Sequence, residues 1–420
     1  MTLDINIQPS CCDDVEAGAI RVDQAVTQLL AKTKSVTGFQ CIPLRETLNR
    51  VLFEDIQSPI DVPAHDNSAM DGYALAHTDL PEDKAQAFKV AGTAFAGKPF
   101  DGSCQQGECI RIMTGAMLPA GTDSVVIQEQ VNVTDNASVE IGTGHRKNQN
   151  VRFAGEDIKT GSTVLPKGHR VKAADLGVLA SLGVNEIKVY RKPRVSFFST
   201  GDELKSIGEA LRKGDIYDSN RYSLFGLLSD CHVDLIDLGV VVDDPEKLRE
   251  TLLTAADCSD MVLTSGGVSV GEADFIKDVL QQIGLMDFWK ILMKPGRPLT
   301  VGTIGESLFL GLPGNPVAVM VTFHQFVKPS LQKLAGLNVQ KPRLFKAHCV
   351  DNIRKNKGRC EFQRAIASND EAGNLQVKLT GSQGSGVLTS MSRANCFIVL
   401  NEDRGSVAAG DEVTVQFFYL

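Results

Sequence analysis

The stretch 264–274, TSGGVSVGEAD, puts adjacent glycines, hydroxyls and two acids into one short turn between an apolar run and a helical pattern. Gly266 and Gly267 let backbone amides approach an anion closely, and a following helix start adds partial positive charge. Ser265 and Ser269 flank the glycines. No lysine of a nucleoside-triphosphate loop follows. Two further turns have the same small and polar character. They are STGDEL (199–204) and GLPGNP (311–316), the latter with Pro313, Gly314 and Asn315. One glycine turn is equally well a plain structural turn; three on one sheet edge point to a ligand. The acids Asp202, Glu203, Glu272 and Asp274 would repel a bare phosphate. A hard dication such as Mg²⁺ removes the conflict, because it joins one or two carboxylates to phosphate oxygens. Helix N-terminal charge matching alone accounts for Glu272 but not for acids on separate loops. FWKILMKPGRP supplies Lys290, Lys294 and Arg297 as candidate partners for phosphate or oxyanion groups. DVPAHDNSAMDGYAL (61–75) crowds Asp66, Asn67, Ser68 and Asp71 into more polar content than a turn needs. RIMTGAMLP (111–119) and RFAGEDI (152–158) are similar turns.

The elements that must position these residues follow from periodicity. From Arg194 to about Gly336, apolar strands alternate with helical patterns, which predicts a doubly wound, mostly parallel sheet. In such a sheet ligands bind beyond the carboxyl ends of the strands. Ser219 or Asn220 is the expected cap of the helix in SNRYSLFGLLSD, and Asp244 that of the helix opened by Pro245. PVAVMVTFHQFVKPSLQKLAG reads as one long apolar helix. Residues 19–60 read as mainly helical with an extended exit, and 173–183 as another helix. Residues 61–154 and 341–420 look β-rich. The resulting division is 1–18 as a flexible leader, 19–60 plus 155–192 as a helical and extended linker domain, 61–154 as a β-rich insertion domain, 193–340 as the α/β domain and 341–420 as a C-terminal β domain.

The chain has 420 residues, 43% of them hydrophobic, enough for several cores. Its net charge of −8 argues against a general nucleic-acid binder. Ten cysteines without CxxC or zinc spacing read as buried, reduced thiols of a cytoplasmic protein. No apolar run is long enough for a membrane span.

Taken together, DVPAHDNSAMDGYA, RIMTGA, GEDI, FSTGDEL, IYDSNR, SGGVSVGEADF, FWKILMKPGRP, GLPGNPV and ANCFIVL resemble the molybdopterin molybdenumtransferase family, comprising the MoeA proteins and the gephyrin E domain. The resemblance spans nearly the whole chain after residue 19. It implies four structural domains, with a MogA-like α/β domain, and a homodimer whose cleft lies between the α/β domain of one subunit and the DNSAMDG domain of the other. It implies the reaction as well: molybdate enters the dithiolene of adenylylated molybdopterin, the adenylyl–phosphate link is hydrolysed, and AMP leaves, with Mg²⁺ required. A molybdopterin adenylyltransferase and cofactor-receiving molybdoenzymes or chaperones are the implied partners.

Carried over by the resemblance, Asp66 and Thr114 match site positions of the second domain. Asp157 matches the acid of the GED turn, Glu203 the acid after STGD, and Asp243 the first acid of DDP. Asp274, Lys290 and Lys294 match the α/β pocket, and Arg364 and Ser385 match the C-terminal contribution. The implied roles are Mg²⁺ or its waters for Glu203, Asp243 and Asp274, phosphate or molybdate oxygens for Lys290 and Lys294, and the pterin or oxyanion end for Asp66 and Thr114. The chain departs from many relatives in reading KPGRP rather than KPGKP and in carrying Gly386 in place of histidine. Arg297 keeps the charge but changes hydrogen-bond geometry. A gephyrin-like non-enzymatic scaffold and another nucleotide-processing enzyme on the same α/β fold are the alternatives. Intact acids and lysines favour catalysis over the scaffold.

Overall fold

A computed structural model describes residues 18–135, 137–266 and 275–419. The chain divides into two compact units, one of residues 41–48 and 52–188 and one of residues 1–40, 49–51 and 189–420. The expected leader and Cys11 and Cys12 lie almost wholly outside the described residues, as do Gly267, Ser269, Glu272 and Asp274.

In the first unit a six-stranded sheet runs in the order Ser124–Ile127, Gly72–Leu75, Glu108–Ile112, Gln86–Ala94, Ser138–Ile141, Val131–Asp135. Alternation sends Tyr73 and Leu75 to a core with Phe88, Cys109 and Val126, and Ala74 to a second core with Ala94, Ile110 and Ile112. Both faces are therefore covered. The expected helix near residue 173 spans Ala173–Ser181.

The second unit opens with the helix Val22–Lys32, which buries Ala25 and Leu29. Here the expectation of a mainly helical 19–60 is corrected. Beyond Lys32 the segment holds strands at Phe39–Pro43 and Ile56–Gln57 and a single 3₁₀ turn at Leu44–Glu46. Only residues 22–32 combine a regular apolar face with an absence of Gly and Pro; Gly38 (φ +89°) and Pro43 break any continuation of the helix.

The doubly wound sheet is present. Its order is Asp234–Val241, Arg194–Thr200, Met261–Ser265, Ser307–Leu312, Pro298–Ile304, Leu285–Lys290. The first four strands are parallel, Pro298–Ile304 is antiparallel to both its neighbours, and Leu285–Lys290 again runs with the first four. Leu248, Leu252 and Ala255 of the helix Pro245–Cys258 pack on one face with Phe198, Val262 and Phe309. Asp244 caps that helix by accepting from the Lys247 amide. The helix Ser219–Ser229 is capped by Asp218 rather than by Ser219 or Asn220, because the Asp218 carboxylate already accepts from the Arg221 amide.

The long apolar helix is also corrected. It is interrupted by a π turn at Phe323–Val327 between the helices Pro316–Thr322 and Lys328–Leu334. Pro329 has no amide hydrogen and its ring crowds the carbonyl four residues earlier, which the wider π turn relieves. The turn is wholly buried. His324 stacks on Phe418 with ring centroids 5.0 Å apart, Gln325 donates to Gln416 at 3.1 Å, and Lys328 Nζ donates to the Phe418 carbonyl at 3.0 Å. These contacts seat the C-terminal sheet.

In that sheet Cys360–Asn369, Leu375–Leu379, Phe345–Cys349, Glu412–Phe417 and Cys396–Leu400 follow one another, and the last pairs back onto the first. The five strands thus close into a small barrel filled by Ala347, Ala365, Val377, Ile398 and Val415. The short strand Met293–Lys294 adds to its Cys360–Asn369 edge. Cys41 is exposed, whereas Cys109, Cys349, Cys360 and Cys396 are buried, so the expectation of buried thiols holds for only part of the set. Burial pushes the Cys360 and Cys396 thiols up to about 12, which keeps them protonated and unreactive.

Candidate functional site

Register places the three glycine-bearing turns together. Ser199 pairs with Ser265 and Ser265 with Leu312, so Thr200, Gly266 and Pro313 leave one edge of the sheet from adjacent strands. Ser265 does not offer its hydroxyl to a ligand: it is buried and bonded to the Ser199 hydroxyl at 2.8 Å. Nor is the Gly266 amide free, since it donates to the Leu312 carbonyl at 3.2 Å. The Gly266 amide is thus taken up between strands rather than left for an anion, while Gly267 and Ser269 lie outside the described residues.

Gly266 is required on other grounds. Its φ is +90°, and a Cβ there would stand 2.6 Å from the Thr200 carbonyl oxygen. The position keeps two loops in contact. A Cβ on Gly314 would lie 3.8 Å from the Gly266 Cα, so the second glycine turn faces the first. Asn220 Nδ2 donates to the Gly314 carbonyl at 2.7 Å and fixes that turn from the start of the Ser219–Ser229 helix. Thr200 Oγ1, Thr264 Oγ1, Asp218 Oδ2 and Asn220 Oδ1 are buried and have no hydrogen-bond partner among the described residues. Sequence reasoning assigned Asp218 and Asn220 no role at the site, although both lie in the quoted IYDSNR stretch.

Carboxylates gather beside this edge. Asp202 Oδ1 accepts from the Asp243 amide at 3.4 Å, and the Glu203 carboxylate folds back over Gly201. Burial, then the charges of Asp202 and Glu203, hold the Asp243 carboxyl above its usual range. A proton or a cation relieves that repulsion. Among the described residues no three acids, histidines or cysteines close on one metal position. Two of the expected ligands, Glu203 and Asp243, are therefore brought together, and Asp274 lies outside the described residues.

The lysines reach the same edge. Thr300 pairs with Gly311 and Lys290 with Pro298, both antiparallel, so the end of Leu285–Lys290 lies on the side where Ser307–Leu312 ends. The loop 291–297 leaves from there. Its Met293–Lys294 strand pairs with Cys360–Glu361, and Lys294 Nζ lies 3.9 Å from Glu361 Oε1. On the other flank, the Ile20 amide donates to the Lys290 carbonyl at 2.9 Å. The Ser385 carbonyl accepts from the Val317 amide at 3.1 Å, which brings the QGSG loop against the GLPGNP turn. Asn315 heads the helix Pro316–Thr322 with no side-chain capping bond. Arg364 is buried on the outer face of the barrel, beneath the 384–390 segment, since its strand neighbour Ala365 fills the interior. Its guanidinium donates to Ser390 Oγ and the Gly384 carbonyl, each at 3.0 Å, and burial lowers it to about 10. It acts on the edge through the loop that carries Ser385.

Asp66, Thr114 and Asp157 belong to the other unit, where three turns converge. Asp66 Oδ1 accepts from the Ala154 amide at 2.8 Å. Thr114 donates through its amide and its hydroxyl to Asp71 Oδ1, both at 2.7 Å. Those bonds, the amide first, hold the Asp71 carboxyl below its usual range. The Asp157 amide donates to the Val62 carbonyl at 3.0 Å. A cavity of about 320 Å³ opens beside Asp66, walled by Met117–Asp123, Asn148, Val151 and Phe153. Thr114 and Asp157 do not line it. Sequence reasoning missed this wall because its residues are bound to Asp66 only by the fold, through bonds such as Leu118 amide to Asp66 carbonyl.

Comparison with known proteins bears on the whole chain. Residues 20–183 match the MoeA N-terminal region (domain I and II), residues 196–333 the probable molybdopterin binding domain, and residues 346–418 the MoeA C-terminal region (domain IV). A molybdopterin molybdenumtransferase of Haemophilus influenzae is 44% identical over 400 residues, covering 95% of this chain and 98% of that protein. One from Nostoc sp. is 34% identical over 398 residues, covering 93% and 91%. The crystal structure of a molybdopterin biosynthesis moeA protein from Pyrococcus horikoshii OT3 superposes with a TM-score of 0.83 at 30% identity, covering 95% of this chain and all of that one. With three consecutive family regions in order, relatives matched end to end and the same fold, the chain belongs to the MoeA family of molybdopterin molybdenumtransferases.

Proposed function

We infer that this chain is a molybdopterin molybdenumtransferase that inserts molybdate into adenylylated molybdopterin with release of AMP, giving molybdenum cofactor. The observation that carries the reading is the shared sheet edge. It gathers the Gly266 and Gly314 turns, the acids Asp202, Glu203 and Asp243, and the strand end at Lys290 with the loop that carries Lys294. Such an edge accepts a phosphate-bearing ligand only if something offsets the carboxylates. The raised Asp243 carboxyl fits a dication there. Glu203 and Asp243, with Asp274, would hold Mg²⁺ directly or through its waters, two carboxylates being a usual complement. Bound Mg²⁺ would neutralise phosphate charge.

The chain's own groups do the rest. Lys290 and Lys294 neutralise phosphate or molybdate oxygens as charge moves onto the leaving AMP. Asn220 holds the Gly314 turn in the shape the ligand meets. Asp66 and Thr114, each oriented by a hydrogen bond, serve the pterin or oxyanion end. The division into domains at 19–60 plus 155–192, 61–154, 193–340 and 341–420 is part of this reading. So are the homodimer, a cytoplasmic location, an adenylyltransferase as supplier and molybdoenzymes or chaperones as recipients. Among the described residues no helix is long and apolar enough to cross a membrane. The test is incubation with adenylylated molybdopterin, molybdate and Mg²⁺. AMP release accompanied by active cofactor is expected, and AMP retention with molybdate left free would overturn the reading.

A further inference from the structure

Lys294 does not face the edge alone. Its strand partner in the barrel is Glu361, in parallel register, with Nζ and Oε1 3.9 Å apart. The two side chains differ sharply: that of Lys294 is 61% exposed and that of Glu361 only 7%. Glu361 is also held from behind. Gln363 Nε2 donates to its Oε2 at 2.5 Å. Lys355, itself buried, feels the Glu361 charge while its ammonium donates to the carbonyls of Arg404 and Asn356, at 2.8 and 3.2 Å. A carboxylate fixed in this way cannot swing aside when an anion arrives at Lys294. The ammonium, on a long exposed stem, can. An incoming anion therefore competes with a built-in one for the same cation.

We propose that Glu361 is a positioning residue that sets how tightly Lys294 holds an anionic ligand. It keeps the lysine in place in the empty protein and lowers its affinity for a small anion such as AMP, so that the product is released. The proposal rests on the reading that Lys294 meets a phosphate or oxyanion. It adds that the barrel domain contributes a charge to the α/β site, and that this charge weakens binding rather than strengthening it. A purely structural residue has the opposite signature, because its loss loosens the site.

The test is calorimetric titration of AMP, with Mg²⁺ present, into the full-length protein and its variants. Glu361→Gln keeps the shape and removes the charge; it is expected to bind AMP about two- to fivefold more tightly at low salt, the range for a partly exposed pair. The gain should shrink as ionic strength rises. Glu361→Asp, which keeps the charge, should stay closer to the parent. Lys294→Met should weaken AMP binding, and adding Glu361→Gln to it should then change nothing further. If Glu361→Gln proves unstable because the buried Lys355 loses a nearby compensating charge, the Lys355→Met/Glu361→Gln pair removes both buried charges together and keeps the same readout. An unchanged or weaker AMP affinity in the folded Glu361→Gln protein, with Lys294→Met still impaired, would overturn the proposal while leaving the functional reading intact. An unaltered affinity in Lys294→Met would instead remove the lysine from the site and the reading with it.

Discussion

At the scale of single residues, Asp243 shows how the site is poised. Its carboxyl is raised first by burial and then by Asp202 and Glu203. An acid raised on folding costs stability as pH climbs from its unfolded value through its folded one, because the unfolded chain ionises more easily. Asp243→Asn should therefore raise the melting temperature of the metal-free protein at neutral pH and lose that advantage in acid, where the parent's carboxyl is protonated folded and unfolded. It should also abolish most of the stabilisation that Mg²⁺ confers on the parent. Thermal melts with and without Mg²⁺ check both, and a lower melting temperature would count against the crowded-acid description. The acids were legible in the sequence as types, since STGDEL and DDP stand at the ends of strands. Their mutual repulsion was not, because it depends on Asp202 meeting the Asp243 amide 41 positions away. The same limit explains Gly266 and Ser265. The glycine read correctly as turn chemistry, but Ser265 closes the strand Met261–Ser265, and its hydroxyl and the Gly266 amide are both taken up by neighbouring strands. Local spacing cannot report which groups a strand distant in the chain will claim.

At the scale of elements, two junctions carry the positioning. The first is the Gly266 turn. Gly266→Ala would strain a φ of +90° and push a methyl into the Thr200 carbonyl. The expected cost is about 1–3 kcal/mol of stability. AMP affinity should fall at least about tenfold with it, since a shift of that size is worth about 1.4 kcal/mol. Titration of the folded variant measures the second quantity, and unchanged affinity would separate the turn from the ligand. The second junction is the π turn. His324, packed between Phe397 and Phe418, is lowered by burial from 6.5 to about 3. A histidine lowered on folding leaves the native state fully stable above pH 6.5 and costs stability as pH falls from there towards 3, where the unfolded chain takes up the proton. His324→Phe should flatten the acid side of the stability profile between those values, measured by chemical denaturation at pH 4, 5, 6 and 7. A slope identical to the parent's would contradict the buried, neutral assignment. The apolar run 316–336 was legible as a helix, but the π turn was not, because helix periodicity over 20 residues averages across a single wider turn.

At the scale of the whole molecule, alternation of strands and helices between 194 and 336 was sufficient to identify the doubly wound sheet. Closure of the C-terminal strands into a barrel was not legible. It depends on Glu361–Ala365 pairing with Cys396–Leu400, a register set only when the whole domain has folded. The mainly helical reading of 19–60 failed because propensity without a sustained apolar face is weak evidence. The proposed homodimer belongs to this scale too. Sedimentation equilibrium should return twice the mass of the chain at micromolar concentration, and a monomer at that concentration would remove the dimer from the account.

On the proposed reading, a dication reconciles a phosphate-bearing ligand with the carboxylates at the Gly266 edge. Equilibrium binding of AMP to the full-length protein, measured with Mg²⁺ and again with a chelator, tests it most directly. Binding at least about tenfold weaker in chelator is expected for the parent, with a much smaller dependence on Mg²⁺ in Asp243→Asn. AMP bound equally well with and without Mg²⁺ in both proteins would contradict it.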